Sequence, residues 1–284
     1  MPVFPYSPHL DRLIDLALEE DLGIGDVTTQ ALIPPELKGE AQIRAKQDLV
    51  VAGLPVAARV FQKLDPSLVF ASQVAEGREV AAGTVLARLS GPVAAILTGE
   101  RTALNFLQRL SGIATFTRQM VSLIGVAKAA LVDTRKTTPG WRALEKYAVR
   151  LGGAQNHRAG LYDGVLIKNN HIAAAGSITE AVKQARAQAH HLLKIEVEVT
   201  DLAGLQEALT AGAEVIMLDN MDEETMRQAV ELTAGRARLE ASGSMSAARL
   251  PKVAATGVNL ISMGKLTHSA PAVDIHLRLI KTWM

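Results

Sequence analysis

The second half of this sequence predicts a parallel α/β fold, and two observations carry that prediction. From Ala129 onward, apolar runs of strand length alternate with helix-length amphipathic patterns. That alternation is what a parallel sheet with crossover helices requires. The punctuation agrees: Asp201, Asp222 and Ser244 stand where helix N-caps belong, and Gly212, Gly235 and Gly257 where helices should stop. The candidate strands are 129–133, 164–168, 193–199, 214–219, 237–242 and 258–264, with helices expected over 177–190, 202–211, 223–233 and 246–256. A full eight-fold barrel of such units takes about 250 residues, more than the chain offers after Ala129. An open doubly wound sheet is the alternative, but no GxGxxG follows the first strand to support it.

The first half reads differently. Residues 7–22 form a helical pattern that Ser7 can cap, with Leu10, Leu13, Ile14, Leu16, Ala17 and Leu18 as its apolar stripe. Residues 21–29, DLGIGDVTT, read as a loop. Ala41, Ile43 and Ala45 alternate with Gln42, Arg44 and Lys46 as in a half-buried strand, and 54–64 read as a short helix. Residues 69–89 suggest short strands with turns at Glu76-Gly77 and Ala82-Gly83, a pattern that resembles half of a biotinyl or lipoyl carrier. Such carriers need a modifiable lysine, and none occurs between Ala71 and Leu97, so the stretch is read as scaffold. Residues 94–124 are helical, with Gly112 expected to bend or break the helix. Glu100 and Arg101 interrupt an apolar run there. Neighbours in sequence do not face each other on a helix, so each needs its own partner.

Composition excludes several classes. The net charge of +1 gives no bulk attraction to nucleic acid or membrane, and aromatics are only 4% of residues, too few for base-stacking platforms. There is no apolar run long enough to span a bilayer and no basic-then-apolar start typical of a signal peptide. The absence of cysteine rules out disulfides, thiolate nucleophiles and Cys-ligated zinc. A cytoplasmic protein is the expectation.

The charge is nevertheless uneven. Residues 133–172 hold seven Lys/Arg against three acids, while the rest of the chain is net negative. Arg142, Lys146 and Arg150 recur every four residues and are expected on a solvated helix face. Arg135, Lys136 and Lys168 instead directly follow apolar runs. In parallel α/β folds ligands sit at the carboxyl ends of strands. Here those ends read DTRK, IKNNH, EVEV, MLDN, EASGS and SMG. Arg135, Lys136 and Lys168 would bring cations suited to carboxylate or phosphate. Glu198 and Asp219 would bring carboxylates suited to a divalent metal or sugar hydroxyls, or to ion pairs with the nearby cations. Glu196 and Glu198 share a face, so both can point inward. Ser242, Gly243 and Gly264 would offer backbone N–H groups to an anion. His157 can orient a ligand or support a loop. Paired acids also fit a glycosidase, but a cationic pocket disfavours an oxocarbenium ion.

The segments DTRKTTPG, GGAQNHRAGLYDGVLIKNNHI, EVEV, IMLDN and SMG, in this order and spacing, resemble the quinolinate phosphoribosyltransferase family. EEDLGIGDVTT and GERTALNFLQRLSGIAT extend the resemblance to nearly the whole chain. Trp141 stands where that family usually has an aliphatic residue, and Asn169 where it commonly has an acid. The resemblance implies an incomplete, open α/β barrel (113–268), an N-terminal α/β sandwich domain (1–112) and a C-terminal tail (269–284) that returns to it. It implies a homodimer, or a higher assembly, with sites shared between subunits. It also implies phosphoribosyl transfer from phosphoribosyl pyrophosphate (PRPP) to quinolinate with Mg²⁺, and no covalent nucleophile. By that resemblance, Arg135, Lys136, His157, Arg158 and Lys168 hold the quinolinate carboxylates and neighbouring phosphates, and Arg101 reaches the partner's site. Glu198 and Asp219 contact ribose hydroxyls and the metal; Ser242, Gly243 and Gly264 cradle the 5′-phosphate. The competing readings are a molybdenum-transport-associated paralogue, a nicotinate-specific enzyme and a catalytically silent anion binder. Asp133 before Thr134-Arg135-Lys136, the intact Asn156-His157-Arg158 triplet and the complete set of charged strand ends favour the quinolinate enzyme.

Overall fold

The computed structural model describes residues 2–284. The chain opens with helices α1 (Pro8–Leu22) and α2 (Val27–Leu32), strands β1 (Lys38–Ala45) and β2 (Leu49–Val50), and helix α3 (Leu54–Leu64). Strands β3 (Val69–Ser72), β4 (Glu79–Val80) and β5 (Val85–Pro92) lead into the long helix α4 (Val93–Ile124). Then come β6 (Ala130–Val132), α5 (Arg142–Leu151), β7 (Val165–Ile167), α6 (Asn169–Ala175), α7 (Ile178–Gln188) and β8 (Ile195–Val199). They are followed by α8 (Leu202–Thr210), β9 (Val215–Asp219), α9 (Glu223–Thr233), β10 (Arg238–Ser242), α10 (Leu250–Ala254), β11 (Leu260–Ser262), α11 (Lys265–His268) and β12 (Ile275–Trp283). Two compact units result. The first takes residues up to 118, 139–153 and 270–284; the second takes 119–138 and 154–269.

The first unit is an α/β sandwich on a four-stranded antiparallel sheet, in the order β12-β1-β5-β3. α1 starts where Ser7 Oγ accepts the Leu10 N–H, and it buries Leu10, Ile14 and Leu18, a stripe at i, i+4, i+8. The expected loop over 21–29 is shorter than its composition suggested. Asp26 is an N-cap: its carboxylate takes the Thr29 N–H at 2.9 Å and the Thr29 hydroxyl at 2.5 Å, starting α2 inside that stretch.

Gly112 neither breaks nor bends the chain out of helix; α4 runs through it. The glycine is there for close approach, since a Cβ would lie 2.1 Å from the Pro271 carbonyl oxygen. The neighbouring turns of α4 hold the same segment: Gln108 Nε2 donates to Ile275 O at 2.8 Å, and Arg109 Nη1 to Ala270 O at 2.7 Å. Gly112→Ala must therefore displace the approach to β12. We expect it to cost roughly 1–3 kcal/mol, the usual range for overpacking, read as a lower urea midpoint with unchanged slope.

Residues 139–153 group with this unit through buried polar contacts. Glu76 accepts the N–H groups of Gly53 and Leu54, each at 2.9 Å, and the Tyr147 hydroxyl at 2.9 Å, so it caps α3 and ties α5 to it. Burial pushes the Glu76 carboxyl up, against the pull of these three donors. Trp141 stacks on Phe106, with ring centroids 4.5 Å apart, which gives the large ring a partner in place of an aliphatic contact. The solvated face expected for α5 is a correction: Lys146 is buried at 5% exposure and Arg142 is half-buried, while Arg150 alone of the three is exposed.

The second unit is a six-stranded parallel sheet in the order β6-β11-β10-β9-β8-β7. Read as a ring, that is plain sequence order with one adjacency missing, between β6 and β7. A doubly wound sheet reverses its strand order; this one does not, and it is an open α/β barrel. Alternation along the strands sorts the faces. Ile195, Val197, Val199, Ile216, Leu218, Leu239, Ala241 and Ile261 are buried and lie on the side the helices cover. Glu196, Glu198, Met217, Asp219, Glu240, Ser242 and Ser262 alternate with them on the inner face. Asp201 and Asp222 cap α8 and α9 as expected. Ser244 does not cap α10, which starts later, after Arg249; Ser244 sits in left-handed backbone, φ 47°, beside the sheet end. α6 was not visible as a helix, because it begins immediately after the apolar run of β7. Among the described residues no helix is long and apolar enough to cross a membrane.

Candidate active site

The inner face of the second unit carries polar side chains in two storeys. The upper one lies at the strand ends. Lys136, Asp219, Ser242, Gly243 and Gly264 line one cavity of about 360 Å³. Sequence reasoning did not assign Thr134, Asn220, Lys265 and His268 to the site, and read Ser244 only as a helix cap; all five line the cavity too. Thr134, Asn220 and Ser244 belong to strand-end motifs already quoted; Lys265 and His268 give no local signal, since the one turn of α11 brings them in.

Local geometry explains the cradle. Gly243 has φ 94°, and a Cβ there would fall 2.1 Å from Asn220 Oδ1. Asn220 is itself left-handed, φ 56°, and its N–H donates to Ser242 O at 3.0 Å. With Ser244 also left-handed, the turns after β9 and β10 expose backbone N–H groups in the manner of an anion-binding nest. Lys136 is placed by its own backbone: its N–H donates to Thr134 Oγ1 at 3.0 Å and its carbonyl accepts the Thr267 hydroxyl at 2.7 Å.

Arg135, His157, Arg158, Lys168 and Glu198 do not line this cavity; they gather around the ends of β6, β7 and β8 in the same unit. Asp133, fully buried at the end of β6, accepts Asn156 Nδ2 at 2.7 Å and the His157 N–H at 2.8 Å. That carboxylate fixes the Asn156-His157-Arg158 triplet beside Arg135. Arg158 donates from Nη1 to Gly164 O at 2.9 Å. Burial, then the positive charge of Arg135, hold the Arg158 guanidinium below its usual range. Arg135 is exposed, and its side chain makes no hydrogen bond or ion pair among the described residues. Two guanidinium groups this close repel unless an anion lies with them. Lys168 Nζ is 3.6 Å from Glu198 Oε2, so this acid keeps one cation, as the ion-pair alternative required. Arg101 is exposed on α4, in the first unit, and its side chain makes no hydrogen bond or ion pair among the described residues.

The lower storey was only half read in the sequence. His157 Nε2 is 3.0 Å from Glu196 Oε2 and 3.8 Å from Glu240 Oε2. Burial, then the Glu196 charge, push the Glu240 carboxyl up, and His157 opposes this. Glu240 was not singled out; the available signal was a carboxylate between the apolar residues Leu239 and Ala241 of a buried strand.

Chemically, this is a bipolar site. Fixed cations suit a small polyanion, carboxylates on adjacent strands suit hydroxyls or a hard cation, and the nest suits a phosphate. Known proteins give it a family. The model of the quinolinate phosphoribosyl transferase C-terminal domain matches residues 113–278, and that of the N-terminal domain residues 26–111. A probable nicotinate-nucleotide pyrophosphorylase (carboxylating) of Synechocystis sp. is 48% identical over 275 residues, 96% of this chain and 93% of its own. One of the same description from Bacillus subtilis is 47% identical over 269 residues, 95% of this chain and 93% of its own. The crystal structure of NadC from Streptococcus pyogenes superposes with a TM-score of 0.93 at 40% identity, covering 98% of this chain and all of that one. With both domain models matched in order and relatives aligned nearly end to end, the chain belongs to the quinolinate phosphoribosyltransferase family.

Proposed function

We propose that this chain joins quinolinate to phosphoribosyl pyrophosphate and releases CO₂ and pyrophosphate, giving nicotinate mononucleotide for NAD biosynthesis. The observation that carries the reading is the pair Arg135 and Arg158, the side chain of the first without an ion pair among the described residues and the second held down by burial and then by the charge of the first, in a chain of this family. Quinolinate is a dianion, and its two adjacent carboxylates need more than one fixed cation to leave water. Arg135, Arg158 and Lys168 hold those carboxylates, and His157 sets the place of Arg158 beside them. Lys136, with the N–H groups around Ser242, Gly243 and Gly264, holds the 5′-phosphate.

Glu198 and Asp219 take the ribose hydroxyls and Mg²⁺. The donor set fits: both are hard oxygen ligands at the ends of neighbouring parallel strands, and Mg²⁺ commonly uses one or two carboxylates plus substrate phosphates. Bound there, Mg²⁺ would supply charge neutralisation for the pyrophosphate. The chain's own residues position the reactants. The bond from the ribose C1 to the pyrophosphate oxygen breaks and that to the pyridine nitrogen forms, with the nitrogen aimed by the carboxylate clamp. The alkylated ring then takes the electron pair left when CO₂ departs, and C2 takes a proton. No side chain forms a covalent intermediate; a ribosyl-enzyme adduct caught by rapid quench would overturn this. Arg101, solvent-exposed in one subunit, completes the site of a partner subunit in a cytoplasmic homodimer.

The test is release of ¹⁴CO₂ from carboxyl-labelled quinolinate. Release that requires both phosphoribosyl pyrophosphate and Mg²⁺, with no turnover of nicotinate, is expected. No release while quinolinate still raises the melting temperature would leave the silent anion binder.

A further inference from the structure

His157, Glu196 and Glu240 place one imidazole nitrogen and two carboxylate oxygens within 4.8 Å of one another, a composition that suits a metal ion. Glu196 Oε1 and Glu240 Oε1 are buried without a hydrogen-bond partner among the described residues. The imidazole decides between two uses. His157 Nδ1 accepts the Arg158 N–H at 2.8 Å, so it carries no hydrogen. Nε2 is then the protonated nitrogen, and it faces Glu196 Oε2 at 3.0 Å. A nitrogen that donates has no lone pair left for a metal.

We infer that Glu196 is a positioning residue, which holds His157 in its Nε2–H form so that Nδ1 stays free to receive the Arg158 N–H and set the His157-Arg158 turn. The turn is then fixed from two sides. Asp133 takes the His157 backbone N–H, and Glu196 takes the ring. Both anchors are buried, so water cannot replace them at no cost. Glu240, from β10, brings a second buried carboxylate to 3.8 Å from the same ring nitrogen. The consequence falls on Arg158. Its backbone orientation depends on which nitrogen of the preceding residue is unprotonated, so a side chain that touches no substrate governs how one substrate is gripped. Phosphoribosyl pyrophosphate, held by the nest after β10, is not governed in this way.

This inference rests on the proposed reaction, and two measurements on the full-length protein separate them. In ¹⁵N-histidine spectra, with His157 assigned by its loss in His157→Asn, the Nε2–H tautomer is expected at neutral pH. That result stands or falls without turnover. Glu196→Gln keeps an acceptor for the ring and should leave the quinolinate KM within about threefold of wild type. Glu196→Ala removes the acceptor and should raise it about tenfold, with the phosphoribosyl pyrophosphate KM nearly unchanged. Should Glu196→Ala not fold, the glutamine variant and the spectra still decide. An Nδ1–H ring in the wild type, a switch to that form on adding Zn²⁺, or equal damage from glutamine and alanine would overturn the inference. Absence of quinolinate turnover by the wild type, with the tautomer as expected, would instead overturn the reaction.

Discussion

Replacing Arg135 with alanine should lower kcat/KM for quinolinate at least ~30-fold, about 2 kcal/mol of transition-state binding, the order expected when a charged hydrogen-bonding group is removed. The reason is where the side chain sits and what it lacks. It projects from the end of β6, is exposed, and has no protein partner among the described residues. Its removal therefore breaks no fold contact, and the melting temperature should stay within a degree or two of wild type. The loss should appear instead as weaker capture of a dianion. Lysine should rescue only part of it, because an ammonium cannot present the paired donors of a guanidinium. Unchanged kcat/KM for quinolinate would remove Arg135 from the site.

Gly243→Ala should damage the other substrate. A Cβ would stand 2.1 Å from Asn220 Oδ1, and the residue would be held at φ 94°. The left-handed backbone alone costs a non-glycine residue roughly 1–2 kcal/mol, and Asn220 must move as well. Asn220 and Ser244 are the other left-handed residues of the nest, so displacing Asn220 disturbs the turn after β9 together with the one after β10. The expected result is a rise of roughly 30-fold or more in the KM for phosphoribosyl pyrophosphate, with quinolinate affinity in a thermal shift little changed. Equal losses for both substrates would mean that the sheet end, and not the cradle alone, had collapsed.

What the sequence disclosed, and what it hid, follows from distance along the chain. The later parallel strands were legible because Asp201, Asp222, Gly212, Gly235 and Gly257 mark the starts and stops of the helices between them, and the strand-end cations because they directly follow apolar runs. Lys146 was misread: an i, i+4 repeat of cations looks like a wet face, and only the packing of α5 beneath neighbouring residues says otherwise. Gly112 was misread for a related reason. A glycine in a helix carries no label saying whether it serves a bend or a backbone that arrives from far along the chain. Glu240 and His268 were missed because each matters through a partner on another strand or turn. The open barrel rather than a doubly wound sheet came from the family resemblance; strand order cannot be counted from periodicity.

The pairing of β1 with β12 bears on how the protein comes off the ribosome. Strand β1 emerges early, yet one of its two neighbours is made nearly last. Throughout synthesis of the barrel, β1 has a bare edge, with unpaired N–H and C=O groups able to recruit a strand from another nascent chain. The barrel strands from β7 to β11 each pair with the next in sequence and can form those contacts as they appear, β6 alone waiting for β11. The sandwich must wait. Contacts between distant segments form slowly, so the first unit to be translated is the last to be finished, and a helper that shields that edge would act on the amino-terminal half.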